Sequence, residues 1–378
     1  MPGEVVVFGA GATGRAHVGL LAWQAGMEVV FVDKRADLVA ALQHSSEYRV
    51  RVIGETRREI TVGGFRCYFH LEREAIAREI ADAALVLTAV FPENLLDVAE
   101  TVAIAVRMCR ERGRQVPINC ICCENMMDSS SALRRHVEAL LGDADRAYCG
   151  TMFGFPDCMI SRVVPQPVDP LFLVTEDYNE WTVRAGDFLG SRPTGLTALE
   201  LVDNQTARLE RKLMIHNGGH AVCGYMGFHR GHRYVHEAVA DPVVAEAVVG
   251  ALAEIGEVVR LKHGFGAESI RAYQQDLCRR GQIAELRDEI VRVVRDPLRK
   301  LSRNERLVSP AVLAVEYGLP RAHIIHGIVA ALKYRNPADP QSETIGRWLR
   351  EMGEAAAVAA ICSIPANSRL TAEILDAM

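Results

Sequence analysis

Glu4-Val5-Val6-Val7-Phe8-Gly9-Ala10-Gly11-Ala12-Thr13-Gly14-Arg15 decides the fold. A short β-branched run ends in a glycine loop. Residues 13–25 follow, with Val18, Leu20, Leu21 and Ala25 apolar at helical spacing, so the stretch predicts strand, tight turn and helix. Each glycine answers a separate demand: Gly9 the tight turn, Gly11 a close approach of ligand to backbone N–H groups, and Gly14 close packing of helix on strand. A helix N-terminus aimed at such a loop is a ready anion site. Residues 28–32 form a second apolar strand, and Asp33 closes it 19 positions after Gly14. That spacing predicts a dinucleotide site. Asp33 would accept hydrogen bonds from the adenosine ribose and repel a 2′-phosphate, favouring NAD over NADP. Lys34 and Arg35 pull the other way. The predicted cofactor contacts are Gly9, Ala10, Gly11, Ala12, Thr13, Gly14, Arg15 and Asp33.

The same alternation continues. Residues 84–88 and 117–122 read as buried strands; residues 94–112 and 129–141 read as helices. Strands alternating with helices imply a parallel, doubly wound sheet. Residues 48–69 depart from it: Tyr48, Val50 and Val52 alternate with arginines, which predicts a hairpin-like excursion. Pro165, Pro167 and Pro170 mark where the first fold ends, between Val164 and Tyr178. After about residue 190 long apolar-periodic segments take over, at 204–225, 242–261, 283–294 and 321–334. The expected architecture is an α/β Rossmann-like domain over residues 1–190 and a mostly α-helical domain over residues 191–378.

Composition narrows the function. The chain has 378 residues, 24% charged and 49% hydrophobic, with net charge −5. An acidic balance argues against nucleic acid, which needs a basic face. No apolar run reaches the ~20 residues that span a bilayer, and Met1-Pro2-Gly3-Glu4 lacks the basic start of a signal peptide. Of the ten cysteines, Cys120, Cys122 and Cys123 crowd one apolar strand pattern and no Cys-x-x-Cys pair recurs, so the spacing does not support a metal or disulfide framework. Reduced core cysteines in a cytoplasmic protein, a monomer or homodimer, are the expectation.

Chemistry concentrates at Arg211-Lys212-Leu213-Met214-Ile215-His216-Asn217-Gly218-Gly219-His220. On a helix advancing ~100° per residue, Lys212, Asn217 and His220 share one sector. A free lysine has a pKa of ~10.4; a base working near neutrality needs ~7–8, reached by burial and neighbours. Such an amine could take an alcohol's proton while Asn217 holds the developing oxyanion and His220 positions the oxygen. The plainer reading is a solvated Lys212 with Asn217 and His220 bonding between helices. Gly218 and Gly219 signal a close backbone approach or a break in the helix. His216 with His220, and His229 with His232 and His236, lack the three or four convergent ligands zinc requires; no metal is expected. The arginines at 107, 110, 112 and 114 suit a helix C-terminus. Arg299, Lys300, Arg303 and Arg306 could form a phosphate clamp or a salt-bridged face.

The chain resembles the polyol-specific long-chain dehydrogenases over nearly its whole length. The resemblance is carried by Phe8-Gly9-Ala10-Gly11 with Gly14-Arg15, Val52-Ile53-Gly54-Glu55-Thr56, Cys123-Glu124-Asn125-Met126, Glu210-Arg211-Lys212-Leu213, Asn217 with Gly219-His220, Pro297-Leu298-Arg299-Lys300-Leu301-Ser302, and Glu316-Tyr317-Gly318-Leu319-Pro320. It implies a zinc-independent, NAD-linked enzyme with a Rossmann domain and a helical domain. It implies Lys212 as general acid/base, Asn125 and Asn217 as carbonyl or alkoxide stabilisers, and His220 as a substrate contact. Arg162, Arg299 and Lys300 are further substrate candidates. The implied reaction interconverts mannitol 1-phosphate and fructose 6-phosphate. Alternatives are an unphosphorylated mannitol dehydrogenase, a hexuronate reductase, and a dinucleotide-binding sensor without turnover. The chain departs from the family pattern at Ala12-Thr13, at His17, and at Ser161, where an aspartate is usual.

Overall fold

The computed structural model describes residues 3–378 apart from 55, 125 and 127. The chain divides into two compact units, residues 1–208 and 209–378.

In the first unit the strands are β1 (Glu4–Phe8), β2 (Glu28–Asp33), β3 (Glu47–Ile53), β4 (Arg57–Gly63), β5 (Arg66–Phe69), β6 (Leu85–Thr88), β7 (Ile118–Cys122), β8 (Phe153–Gly154), β9 (Cys158–Ser161), β10 (Phe172–Glu176), β11 (Glu180–Arg184) and β12 (Leu199–Val202). A six-stranded sheet runs β5-β2-β1-β6-β7-β8, every neighbouring pair parallel. Strand order reverses between β1 and β6, the switch point where open α/β sheets bind ligands. Val5, Val6, Val7, Leu85, Val86 and Leu87 are fully buried, as expected of strands covered on both faces. Helices Arg73–Asp82, Leu95–Glu111 and Ser129–Ala139 supply cover.

The expected excursion is present: β3 and β4 pair antiparallel. Beyond the prolines the sequence reading falls short. β10 returns to pair with β3, and β9, β11 and β12 form a third sheet. The proline cluster is therefore a loop inside the first unit. The unit boundary lies past residue 190 because β12 hydrogen-bonds to β11.

The second unit is helical. Helix Pro242–His263 packs on helices Asn217–His229 and Ala322–Lys333 in one apolar core containing Ile255, Val259, Val222 and Ile328. The predicted helix over 283–294 is not one piece. Short turns Ala284–Leu286 and Ile290–Val293 flank Arg287, whose φ of 46° breaks the run. All ten cysteines are free thiols, nine of them buried. Burial pushes the thiols of Cys120, Cys122 and Cys123 well above the ordinary range, which leaves them unreactive. Among the described residues no helix is long and apolar enough to cross a membrane.

Candidate active site

The glycine loop leaves β1 at the switch point. Gly9 sits at φ 91°, and a Cβ there would lie 2.4 Å from the Ala89 carbonyl oxygen. A Cβ on Gly14 would lie 1.9 Å from the Gly9 carbonyl oxygen. A Cβ on Gly11 would meet only the Arg35 Nη2, 3.8 Å away. Gly9 and Gly14 are thus demanded by the fold. Gly11 has room for a side chain, as expected where the missing atom makes way for a ligand. The helix after the loop opens with a π turn, Gly14–Val18; such turns occur often at functional sites.

Asp33 is buried, and its Oδ1 accepts the Arg35 backbone N–H at 2.9 Å and Arg35 Nε at 3.3 Å. Arg15 faces inward rather than into the cleft. Its Nε donates to the Ala10 carbonyl at 2.6 Å and Nη1 to the Pro170 carbonyl at 2.5 Å, with the guanidinium 5.3 Å over the Tyr48 ring. Burial lowers its pKa to about 10. It braces the loop from behind. The loop and Asp33 fit a dinucleotide: the glycines clear a path to backbone N–H groups, and an acid stands where the ribose would come.

In sequence Glu124, beside Asn125, reads as a structural or supporting residue. In the fold its buried Oε1 accepts the Thr88 hydroxyl at 2.7 Å and the Val90 N–H at 3.0 Å. Burial raises its pKa against those bonds. It ties the C-terminal ends of β6 and β7 together at the rim of the cofactor cleft. Asn125 itself lies outside the described residues.

In the second unit Lys212 begins a π turn, Lys212–His216, that runs into helix Asn217–His229. The Asn217 N–H donates to the Lys212 carbonyl. The extra residue in this turn rotates Asn217 back toward the Lys212 face, and His220 follows three residues on, along the same side. The turn is helical throughout, so the paired glycines do not mark a break. They permit contact: a Cβ on Gly218 would lie 2.9 Å from the Arg306 carbonyl oxygen, and one on Gly219 2.6 Å from Leu252 Cδ2. Lys212, Asn217 and His220 are half-buried.

His220 Nε2 lies 3.1 Å from Asp288 Oδ2. Arg292 holds the other oxygen, Oδ1, through Nε at 2.8 Å and Nη2 at 2.5 Å. Burial would raise the Asp288 pKa, but the His220 hydrogen bond and the Arg292 charge outweigh it and bring it to about 2. The carboxylate stays ionised, contributes stability above the ordinary carboxylate range, and loses that contribution only as pH falls toward about 2. A carboxylate can only accept, so Nε2 carries the hydrogen of this bond and Nδ1 is left for another partner. Asp288 lies just past the Arg287 break, and no sequence pattern singled it out.

His216 is buried, and burial lowers its pKa well below the usual imidazole value, aided by Arg280, His220, Lys212 and Arg306 nearby. The region is therefore cationic. Among the described residues no group of three potential metal ligands forms. His229 Nε2 bonds the Ala330 carbonyl at 2.8 Å, His232 bonds Asp241 at 3.0 Å, and His236 stacks on Tyr234.

The substrate candidates are committed elsewhere. Arg162 Nε donates to the Tyr178 carbonyl at 2.8 Å and Nη1 to the Ala16 carbonyl at 3.3 Å. Arg299 pairs with Glu305 at 3.0 Å. Lys300 is buried, its ammonium donating to the Val293 carbonyl at 2.5 Å and to the Arg295 carbonyl, and burial drops its pKa to about 7. Lys300 closes a helix end and does not present a phosphate ligand. Ser161 lies buried on β9, and its Oγ has no hydrogen-bond partner among the described residues.

Asp288→Asn is expected to raise the substrate KM and lower kcat/KM by about 10–100-fold, the worth of a hydrogen bond to a charged group. NADH affinity should not change, and Asp288→Glu should restore part of the loss. Steady-state kinetics beside a fluorescence titration of NADH would check this; equal loss of both affinities would mean a structural role only.

A nucleotide-type sheet followed by a helical unit that carries a lysine, an asparagine and a histidine on one helix side defines a two-domain oxidoreductase. The chain belongs to the mannitol dehydrogenase family: the family model of the mannitol dehydrogenase Rossmann domain matches residues 3–195, and that of the C-terminal domain residues 206–364. A ternary complex of Pseudomonas fluorescens mannitol 2-dehydrogenase with NAD and D-mannitol is similar over 98% of this chain and 90% of that one, with 17% identity and a TM-score of 0.75. A D-sorbitol dehydrogenase in substrate-free form is similar over 99% and 92%, with 16% identity and a TM-score of 0.80. At these identities the likeness speaks to the fold.

Proposed function

We propose that the chain is an NAD-linked, metal-independent polyol dehydrogenase in which Lys212 is the general acid/base. The observation that carries the reading is the π turn that draws Asn217 round to the side of Lys212, with His220 following and fixed by Asp288. NAD supplies the hydride acceptor when bound. Lys212 takes the hydroxyl proton as hydride leaves, or returns it in the reverse direction. Asn217 donates to the developing alkoxide. His220 bonds a substrate hydroxyl through Nδ1. The cationic surroundings of His216 favour the alkoxide over the alcohol.

We propose mannitol 1-phosphate and fructose 6-phosphate as the substrate pair because the family resemblance implies it; Arg299 and Lys300, already held by Glu305 and by the Val293 and Arg295 carbonyls, do not supply its phosphate contact. The test is an NAD(H) absorbance panel of hexitols, hexitol phosphates, keto sugars, keto-sugar phosphates and keto-uronates, with and without chelator. Turnover is expected with the phosphorylated pair and unaffected by chelator. Turnover confined to unphosphorylated hexitols would remove the phosphate, preference for keto-uronates would make it a hexuronate reductase, and chelator sensitivity would remove the metal-free mechanism.

A further inference from the structure

An acid at the end of β2 ordinarily excludes a 2′-phosphate by charge. Asp33 does not stand there alone. Its Oδ1 is covered by two hydrogen bonds from Arg35, from the backbone N–H and from Nε. That leaves Oδ2 for the ribose and offsets the negative charge. Arg35 is half-exposed, at 50%, so its guanidinium stands at the surface of the cleft. Nε takes the bond to Asp33, while the four N–H bonds on Nη1 and Nη2 have no acceptor among the described residues. Nη2 lies 3.8 Å from where a Gly11 Cβ would be, on the approach to the glycine loop.

The local charge points the same way. Arg15, buried behind the loop, spends its hydrogen bonds on carbonyls and not on a carboxylate. Lys34 is exposed and, among the described residues, bonds only the neutral amide of Asn94, at 3.0 Å. Asp33, with the exposed Asp37 in the first turn of the next helix, is thus set against Arg15, Lys34 and Arg35. A planar fork of charged donors with open N–H groups is the usual partner of a phosphate.

We propose that this chain binds 2′-phosphorylated dinucleotide as well as NAD, with Arg35 as the residue that holds the 2′-phosphate. The proposal rests on the glycine loop being the dinucleotide site. Arg35 turns its open Nη edge to the phosphate while its backbone N–H keeps Asp33 in place. The chain then accepts either cofactor.

Equilibrium binding tests it without turnover. NAD, NADP and adenosine 2′,5′-bisphosphate are titrated by calorimetry into wild type, Arg35→Ala and Arg35→Lys, with a thermal melt of each variant to confirm folding. Wild type should bind NADP within about tenfold of NAD. Arg35→Ala should weaken NADP and the bisphosphate by about tenfold or more, the loss expected for charge-assisted hydrogen bonds, and NAD by less than about threefold. Arg35→Lys, which keeps the charge but not the fork, should fall between. Wild-type NADP binding more than about tenfold weaker than NAD overturns the proposal and leaves the NAD site standing, as does an Arg35→Ala loss shared equally by both cofactors. Failure of all three ligands to bind wild type removes the site itself and the proposal with it.

Discussion

Lys212→Ala is expected to lower kcat by about 10²–10⁴-fold, the contribution of a positioned general acid/base. The fold should survive. Lys212 is half-buried, and the core of its unit is built from neighbours such as Met214, Ile215 and Val222, which the change leaves intact. Cofactor affinity should also survive, because the glycine loop and Asp33 belong to the other unit. The loss should fall on kcat and kcat/KM together, the pattern of an interaction made in the transition state. Lys212→Arg should not rescue it, since a guanidinium does not give up its proton. The measurement is steady-state turnover of the best substrate, alongside NADH titration and a thermal melt. A kcat within about threefold of wild type would take the proton-transfer role away from this residue. Tight NADH binding by the wild type with no reduction of any keto sugar would instead favour the view of the chain as a dinucleotide-binding protein without turnover.

The two halves of the chain were unequally legible in sequence. The parallel sheet could be read from period and punctuation because its strands are short, fully buried and bounded by glycine or acid, as at Val5-Val6-Val7 before Gly9 and Phe31-Val32 before Asp33. The returning strand β10 could not. It pairs with β3 across more than a hundred residues, and nothing local encodes that register. Residues 283–294 show the opposite failure, an apolar periodicity broken by a single non-glycine residue, Arg287, at positive φ. At the site, Lys212, Asn217 and His220 were picked out by spacing, yet the arithmetic assumed a straight α-helix. The π turn, which improves their alignment, leaves no mark in the sequence beyond the small residues after it. Asp288, Glu124 and the Arg35–Asp33 pair were invisible as partners because each is a tertiary or turn contact. Arg299 and Lys300 show the converse. A run of basic residues says where charge is, but not that Glu305 and the Val293 and Arg295 carbonyls already hold it.

Gly14→Ala and Gly11→Ala should separate the two reasons for a glycine in this loop. An added methyl at Gly14 would sit 1.9 Å from the Gly9 carbonyl oxygen and 3.6 Å from Val7 Cγ1. The first atom is backbone at the end of a fully buried strand, so no side-chain rotation relieves the clash. Helix or strand must move. Overpacking of this kind costs about 1–3 kcal/mol in ordinary cores and more where backbone is the obstacle. For a unit of this size a loss of about 3 kcal/mol lowers Tm by roughly 6–12 °C. Gly11 gives the opposite expectation. Its methyl would meet nothing closer than the flexible end of Arg35 at 3.8 Å, so the melting temperature should stay within about 2 °C of wild type. It would stand where the pyrophosphate must approach backbone N–H groups, and NADH affinity should fall about tenfold or more, as for loss of charge-assisted hydrogen bonds. Thermal melts of the ligand-free variants, followed by NADH titration of each, give both readings. A stable Gly14→Ala would contradict the packing argument. A Gly11→Ala variant that binds NADH as wild type does would mean that the dinucleotide does not pass over this loop, and the assignment of the cofactor site would fall.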